Sequence, residues 1–321
     1  MPVGGTVYLD LGWTNRGLHL MQEAPSFSII VPTHNRPSHL VACLSALTRQ
    51  DYPRSKMEVV VVDDGSPAPL AEIVDPFQKQ LNVKLVVQRQ AGPAAARNAG
   101  AAHAHGQFLA FTDDDCAPES GWLNHLAKGL RQNPAAAVGG RTLNALDDNV
   151  YSAASQWLID YMYDYYNAAQ PAPKFFTSNN LALPAAAFRE LGGFDTSFPL
   201  AAGEDRELCD RWRFRGGELL YVPDAIVLHS HSLNFSSFVR QHFNYGRGAF
   251  QFHLRCARRQ QGTPRREPLS FYCNLLQSPL SRNRRVIRLL GLMVASQAAT
   301  ALGYCYDKFA SEPPVHRNSE T

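Results

Sequence analysis

The sequence has no closely spaced cysteines, no periodic glycine or proline, and no apolar N-terminal segment. Its six cysteines form no C-x-x-C pair, which argues against a zinc knuckle and a compact disulfide scaffold and favours reduced thiols in the cytoplasm. The glycines and prolines follow no repeat, which excludes collagen-like and linker-like chains. Residues 1–23 lack a basic segment followed by an apolar core, so we expect no secretory signal.

The composition is that of a globular protein. Of its 321 residues, 45% are hydrophobic and 18% are charged, which lies outside the range of disordered chains. This length allows one large domain or two ordinary ones.

Charge is distributed unevenly along the chain. Residues 236–321 contain 13 Lys+Arg and 4 Asp+Glu, a net charge of +9, which leaves −6 for residues 1–235. A basic region favours anionic partners, although a solvated helical face has the same composition. Residues 289–306 carry no charge and follow a group of arginines, Arg282, Arg284, Arg285 and Arg288.

This C-terminal pattern leaves three interpretations open: a membrane span, an interfacial helix and a helix packed in the protein or in an oligomer. The candidate partners of residues 236–321 are therefore an anionic membrane surface and a second copy of the chain, with no nucleic acid. We expect a cytoplasmic protein, with a peripheral position at the cytoplasmic membrane as the alternative.

Apolar runs alternate with amphipathic stretches from Ser26 to Arg141, which is typical of strands and crossover helices in an α/β sheet. The predicted strands are Phe27–Val31, Met57–Val62, Val83–Val87, Phe108–Phe111 and Ala135–Gly139. The predicted helices between them are Pro37–Arg49, Pro69–Gln80, Pro93–His105 and Pro118–Gln132. Beyond this region we predict a loop, a helix and a strand over Leu181–Tyr221, a strand at Ala225–Leu228, helices at Ser236–Arg259 and Val286–Phe309, and a polar linker at Gln260–Glu267.

Polar residues follow three of the predicted strands, where ligands of open parallel sheets bind. Residues 32–36 read Pro-Thr-His-Asn-Arg, residues 63–66 read Asp-Asp-Gly-Ser, and residues 113–115 are three aspartates. Three adjacent carboxylates repel one another unless a positive charge lies among them, and a divalent cation is the simplest candidate. Oxygen ligands without a cysteine cage suit Mg²⁺ or Mn²⁺. An acidic helix cap accounts for only one of the three.

These motifs, taken in order, resemble family 2 glycosyltransferases of the GT-A fold. The resemblance covers Phe27 to His231 and includes Gly92-Pro-Ala-Ala-Ala-Arg-Asn-Ala-Gly100, Phe111-Thr-Asp-Asp-Asp115 as the D-x-D element, and Gly203-Glu-Asp-Arg-Glu-Leu-Cys-Asp-Arg-Trp212. It implies an open, mostly parallel sheet flanked by helices, followed by a helical C-terminal extension. The implied domains are an N-terminal extension (1–25), a catalytic domain (26–235) with nucleotide-binding (26–141) and acceptor (142–235) halves, and a basic helical extension (236–321).

The resemblance also assigns roles to residues. It implies nucleotide-sugar binding by Pro32, Thr33, Asn35, Arg36, Asp63, Asp64, Arg97, Asp113 and Asp114. It implies metal binding by Asp113, Asp115 and one of two histidines, His229 or His231. The implied catalytic base is Asp205, with Glu204 as the alternative.

Each of these assignments has a structural alternative. Asp63 and Asp64 also suit a turn, Arg97 suits a surface ion pair, the Glu204–Asp205 pair suits the first turn of a helix, and each histidine suits a surface position.

The implied activity is metal-dependent transfer of a sugar from a nucleotide-sugar donor, first of all a UDP sugar, to a hydroxyl acceptor with inversion. The enzyme would be of the hexosyltransferase type, and its acceptor a saccharide, a lipid-linked group or another hydroxyl compound of glycan, cell-envelope or glycolipid synthesis. The sequence has no Gln-x-x-Arg-Trp element, so we expect single addition. The alternatives are a catalytically silent nucleotide-sugar-binding or scaffold protein and a nucleotidyltransferase, although the latter usually opens with a glycine-rich basic loop.

Overall fold

The computed structural model describes residues 24–168, 172–198, 200–260, 267–277 and 286–311. Several predicted features lie outside these residues. They are most of the N-terminal extension (1–25), residues 261–266 of the polar linker, the arginines Arg282, Arg284 and Arg285, and the last ten residues of the chain.

A single eight-stranded sheet forms the centre of the described fold, in the order β3-β2-β1-β4-β7-β6-β8-β5. The strands are β1 (Phe27–Thr33), β2 (Met57–Asp63), β3 (Val83–Val87), β4 (Phe108–Phe111), β5 (Cys116–Pro118), β6 (Ala137–Asn144), β7 (Leu181–Pro184) and β8 (Leu219–His229). Strands β1 to β4 pair in parallel, as do β6 and β8, whereas β7 runs antiparallel to β4 and β6, and β5 to β8. The predicted α/β class and mostly parallel open sheet are confirmed.

Helices cover the sheet and continue beyond it. They are α1 (Pro37–Thr48), α2 (Ala71–Val74), α3 (Pro93–Ala102), α4 (Trp122–Gln132), α5 (Val150–Tyr163), α6 (Ala185–Leu191), α7 (Glu204–Phe214), α8 (Phe235–Gln260), α9 (Leu269–Gln277) and α10 (Val286–Ser311). Pro37 and Pro93 open α1 and α3, where the missing N–H would have had no helical partner. The helical C-terminal region is present as predicted.

Several predicted boundaries were wrong. The stretch predicted as helix Pro69–Gln80 is the short helix α2 followed by a 3-10 helix, Asp75–Lys79, and α4 begins at Trp122 because the preceding residues form β5. The region of β7 was predicted as loop, and α9 was not predicted. β6 continues to Asn144, so the predicted division between residues 141 and 142 falls inside a strand.

The two faces of the sheet bury separate apolar clusters. Ile29 and Val31 pack into one cluster with Trp122 of α4, whereas Ile30 packs into the other with Ala96 of α3. Successive strand residues point to opposite faces, so a strand covered on both sides is apolar throughout. All seven residues of β1 are accordingly buried, which fixes the end of this strand and the polar residues that follow it.

Helices α8 and α10 cross with their backbones in close contact. A Cβ atom added to Gly246 would lie 1.9 Å from the carbonyl oxygen of Thr300, and one added to Gly303 would lie 1.9 Å from that of Phe243. An ion pair of 2.6 Å between Arg247 Nε and Asp307 Oδ1 closes the same interface. Helix α10 is thereby fixed against α8.

One described helix, Arg288–Ser311, is long and apolar enough to cross a membrane by length and composition. Core helices pass the same test, but only 28% of its most apolar window is buried. Val294, Leu302 and Phe309 are each more than half exposed. We call the exposed side of α10 that carries these three residues the apolar face of α10.

We expect Gly303→Ala to destabilise the protein by about 1–3 kcal/mol, the usual effect of overpacking, because its methyl group would meet a backbone carbonyl that no rotamer change can move. Gly291→Ala in the same helix is the matched control. A Cβ at Gly291 meets nothing within 4 Å, and alanine favours a helix by up to about 1 kcal/mol over glycine. Thermal unfolding of the two variants should therefore shift in opposite directions, and equal shifts would contradict the close crossing.

Candidate active site

The candidate site lies where β1, β2, β4 and β8 end. The parallel register aligns Thr33 of β1 with Asp63 of β2, and the antiparallel pairing of β5 and β8 aligns Cys116 with His229. These pairings gather the three aspartates after β4 beside the polar ends of the neighbouring strands. The sheet therefore brings most of the predicted site residues to one edge.

Arg36 lies against the aspartate triplet. Its guanidinium forms ion pairs with Asp114 at 2.5 Å and with Asp115 at 2.9 Å, and Thr33 Oγ1 donates a hydrogen bond of 2.6 Å to Asp114 Oδ2. The carboxyl of Asp114 is fully buried, and burial raises its pKa to about 7, although Arg36 and Thr33 oppose the shift. Asp114 thus contacts Thr33 and Arg36 instead of an open surface.

The other residues after β1 occupy different surroundings. Pro32 is buried within the strand, whereas Asn35 is exposed in the left-handed backbone region with φ of 53°. The Asn35 N–H donates to Ser66 Oγ at 2.8 Å. This bond ties the loop after β1 to the loop after β2.

The carboxylates of Asp63 and Asp64 both accept hydrogen bonds from backbone N–H groups of nearby loops. Asp63 Oδ1 accepts a hydrogen bond from the Ser66 N–H, which is the turn chemistry left open by the sequence. The carboxylate of Asp64 accepts hydrogen bonds from the Ala91 and Gly92 N–H groups at 2.8 Å and from Gln88 Nε2 at 2.7 Å. Asp64 therefore fixes the loop before α3, part of which lines a cavity of about 250 Å³.

Arg97 of α3 connects two groups of carboxylates. Its NH2 atom lies 2.7 Å from Asp113 Oδ1, and its NH1 atom lies 3.2 Å from Glu204 Oε1. Arg97 is 4% exposed, and although burial opposes its charge, the carboxylates of Asp113 and Glu204 raise its pKa above the ordinary value. Arg97 is thus a buried ion-pair partner and not the surface residue that was the alternative.

Glu204 and Asp205 begin α7, after Gly203 with φ of 92°. Burial, with the charge of Asp205, raises the pKa of Glu204 to about 7, and Arg97 offsets part of this shift. Burial also raises the pKa of Asp205, whose Oδ1 accepts a hydrogen bond from the Arg206 N–H at 2.7 Å. Two carboxyls with raised pKa values on the first turn of one helix form a candidate acid–base pair.

The structure separates the two candidate histidines. His229 Nε2 lies 3.3 Å from Asp115 Oδ1, and Asp115, Cys116 and His229 form a group whose ligand atoms lie within 4.8 Å of one another. The His231 ring lies tilted against the His229 ring, 5.2 Å away between centroids, and is outside that group. Asp113 also lies outside it, because its carboxylate turns toward Arg97.

The donor atoms fit a divalent cation. Burial opposes the charge of Asp115, but the hydrogen bond and charge of His229 and the charge of Arg36 lower its pKa, so a carboxylate is available at neutral pH. A carboxylate oxygen and an imidazole nitrogen suit Mn²⁺ or Mg²⁺ when substrate oxygens complete the site. Burial raises the pKa of the Cys116 thiol, which makes Cys116 a poor ligand.

The structure also corrects the argument from repulsion. Repulsion within the aspartate triplet predicts a divalent cation beside it. However, the guanidinium groups of Arg36 and Arg97 already pair with all three aspartates. The triplet by itself therefore does not require a cation. The case for a metal depends on the Asp115–His229 pair.

Sequence reasoning missed Gln88, Cys116, Gln241 and Tyr245. Gln88 follows β3, so the rule of inspecting polar residues after strands would have found it. Gln241 and Tyr245 belong to α8, and the influence of the Asp205, Glu204 and Asp115 charges on the Tyr245 phenol depends on how this helix packs.

The family model for glycosyl transferase family 2 matches residues 28–192. The glycosyltransferase AglE from Haloferax volcanii is 30% identical over 234 residues, which are 71% of this chain and 74% of that protein. A pre-mycofactocin glycosyltransferase from Mycobacterium tuberculosis is 29% identical over 69% of this chain, which spans only 46% of the relative.

Two solved structures share the fold. The mannosyltransferase PcManGT from Pyrobaculum calidifontis, in complex with GDP-Man and Mn²⁺, matches with a TM-score of 0.62 at 20% identity, over 91% of this chain and 89% of that one. The S. aureus TarS fragment 1–349, in complex with UDP-GlcNAc, matches with a TM-score of 0.55 at 16% identity, over 89% of this chain and 91% of that one. The sheet and its flanking helices thus match the GT-A fold, and the chain belongs to glycosyl transferase family 2 and is a glycosyltransferase.

Proposed function

We propose that the chain transfers a single sugar from a nucleotide-sugar donor to a hydroxyl acceptor with inversion, in glycan, cell-envelope or glycolipid synthesis. The observation that carries this proposal is the arrangement around Arg97, which joins Asp113 to Glu204, the first residue of the acidic pair. Asp113, which would lie near the ribose or the metal, and the candidate base pair thereby flank one buried cation. UDP sugars are the first donors to test and GDP sugars the second.

The donor would bind at the ends of β1, β2 and β4. Asp63 and Asp64 would hold the nucleoside, with Thr33 and Arg36 beside them, and Asp113 would lie near the ribose or the metal. Asp115 and His229 are the residues that would hold Mn²⁺ or Mg²⁺. When bound, the cation would neutralise the diphosphate and favour its departure as a Lewis acid.

The acceptor would be activated by the acidic pair. Asp205, or Glu204 as the alternative, accepts the proton of the attacking hydroxyl while its oxygen bonds to the anomeric carbon and the nucleoside diphosphate leaves from the opposite face. Attack opposite the leaving group inverts the anomeric centre. Arg97 keeps Glu204 and Asp113 in fixed positions during this step.

We also propose a cytoplasmic enzyme at the surface of the membrane, attached through residues 236–321. The support is the apolar face of α10 together with the arginine group that precedes it in the sequence. Interfacial helices at anionic membranes combine an apolar face with basic residues in this way. All six cysteines are free, which agrees with a reducing compartment.

The metal site predicts how donor affinity responds to chelation. In the wild-type protein, we expect replacement of 1 mM Mn²⁺ by EDTA to weaken binding of the best donor, chosen among UDP-GlcNAc, UDP-glucose and GDP-mannose, by at least about tenfold. Asp115→Ala should bind the donor weakly with or without Mn²⁺, because the variant lacks the carboxylate ligand. Titration calorimetry measures both affinities.

Glu72→Ala is the control, since Glu72 is an exposed carboxylate of α2 that makes none of the contacts described for the site. It should respond to EDTA as the wild type does. An unchanged Mn²⁺ effect in Asp115→Ala would contradict the metal assignment.

If Asp205 is the general base, its substitution should lower turnover without weakening donor binding. We expect Asp205→Asn to lower kcat by about 10²–10⁴-fold, the usual contribution of general base catalysis, while donor affinity by calorimetry changes little. If Asp205→Asn has a normal kcat and Glu204→Gln has a lowered kcat, the general base is Glu204 instead of Asp205. Release of sugar 1-phosphate instead of nucleoside diphosphate would indicate transfer of the nucleotidyl group, and donor binding without release would indicate a silent protein.

The same base predicts a pH dependence. A general base acts only when ionised, and burial raises the pKa of Asp205. We therefore expect kcat/KM to fall as the pH decreases, with a midpoint well above the ordinary aspartate pKa of about 4. A rate independent of pH down to the ordinary aspartate pKa would contradict this prediction.

For the membrane proposal, we expect the full chain to sediment with phosphatidylglycerol vesicles at 50 mM NaCl and to be released at 500 mM. Leu302→Glu combined with Phe309→Glu should weaken sedimentation, because it places charge on the apolar face of α10. Val87→Glu, at an exposed apolar position on the edge strand β3, is the control and should sediment normally. If the chain instead forms a dimer that persists at 500 mM NaCl, and if Leu302→Glu dissociates this dimer, the apolar face of α10 is a contact between two copies of the chain and not a membrane-binding surface.

A further inference from the structure

Helix α8 passes along the acceptor side of the candidate site. It begins four residues after His231, near the proposed metal ligands. Further along, a Cβ added to Gly248 would lie 2.2 Å from the Ala202 carbonyl oxygen, and one added to Gly203 would lie 2.9 Å from that of Gly248. Gly203 immediately precedes Glu204, so the body of α8 touches the loop that presents the acidic pair.

Two polar side chains of α8 lie between these two contacts. Gln241 and Tyr245 are one helical turn apart, and residues four apart share a helix face. Gln241 Nε2 donates to the Tyr245 hydroxyl at 2.6 Å and to Ser155 Oγ of α5 at 3.1 Å. The Gln241 amide therefore fixes the position of the Tyr245 phenol, and Ser155 fixes the position of the amide.

This pair has unused hydrogen-bonding capacity. The Gln241 Oε1 atom is buried without a partner among the described residues, and if the amide were reversed its nitrogen would be left without one instead. The Tyr245 oxygen accepts from Gln241, and no acceptor for its own proton is found in the described part of the chain. Buried polar groups are nearly always paired in folded proteins, so an unpaired group on a helix that touches the loop before Glu204 indicates a ligand that supplies the partner.

The charges of the carboxylates at the candidate site act on the phenol of Tyr245. Burial raises the pKa of Tyr245 to about 12; the hydrogen bond from Gln241 opposes this, and the charges of Asp205, Glu204 and Asp115 add to it. The hydroxyl therefore keeps its proton at neutral pH and remains a donor. Its ring packs edge-on against His242 at 5.4 Å between centroids, which limits its movement.

We propose that Gln241 and Tyr245 bind the acceptor and that this acceptor is a polyhydroxylated compound, with neighbouring hydroxyl groups that pair with the amide and the phenol. A hydroxyl group both donates and accepts, so it satisfies the phenol proton and the unpaired amide atom in either amide orientation. In an acceptor with a single hydroxyl, that group is the nucleophile and gives its proton to the base, so it cannot also donate to the amide. This inference rests on the proposed glycosyl transfer.

The test measures how the enzyme divides the donor sugar between glycerol, as a minimal polyol, and water. The full chain is supplied with Mn²⁺, molar glycerol and whichever of UDP-GlcNAc, UDP-glucose and GDP-mannose releases nucleotide fastest. In Tyr245→Phe we expect the ratio of glyceryl glycoside to free sugar to fall about fivefold, the effect of losing one hydrogen bond. The KM for glycerol should rise by a similar factor, while the KM for the donor moves less than twofold.

Gln241→Ala should lower the same ratio further, because it removes the amide and releases the phenol. Tyr304→Phe is the matched control, since it also removes a phenol hydroxyl, one that contacts His253 Nδ1 at 3.2 Å, and its ratio should equal that of the wild type. An unchanged ratio in both α8 variants, or an equal change in the donor and glycerol KM values, would overturn the proposal. Absence of nucleotide release from the wild-type protein would overturn the proposed function itself, and this inference with it.

Discussion

The buried ion pairs of Arg97 are the interaction on which the site depends. Arg97 joins the carboxylate of Asp113, after β4, to that of Glu204, the first residue of α7, which lies 107 residues from Arg97 in the chain. Removing one partner of a buried ion pair leaves an uncompensated charge, at a cost of about 3–5 kcal/mol. The two ion pairs therefore hold the residues after β4 and the start of α7 in one relative position.

The rest of the acidic cluster follows the same principle. Asp114 is buried between Thr33 and Arg36, Asp64 is enclosed by backbone N–H groups, and Asp115 is shared between Arg36 and His229. Most of these carboxylates hold structure in place as well as being candidates for ligand binding. Like charges accumulate at this sheet edge because each is paired within the protein.

The parallel half of the sheet was predictable because its signals are local. Each of its strands is a short apolar run bounded by polar residues, and a strand buried on both faces needs no alternation. β5 and β7 were not predictable in this way. They have three and four residues and exist through antiparallel pairing with strands far away in the sequence, which no local pattern encodes.

The site divides in the same manner. Residues directly after strands, such as Asp64, Asp113 and Arg36, could be identified from position alone, whereas their partners could not. The contact between Arg97 and Glu204 depends on how α3 and α7 pack. The same packing determines that the Asp113 carboxylate turns away from Asp115. The contribution of α8 was unpredictable for the same reason, because Tyr245 approaches the carboxylates only through the docking of a helix that lies beyond the sheet.

The close crossing of α8 and α10 has a consequence for the acidic pair at the start of α7. The contact of Gly246 with Thr300 leaves α8 no room to move toward α10. Because α8 also touches the loop before Glu204 through Gly248, a larger side chain at position 246 would tilt α8 and shift that loop, although Glu204 and Asp205 themselves would be unaltered.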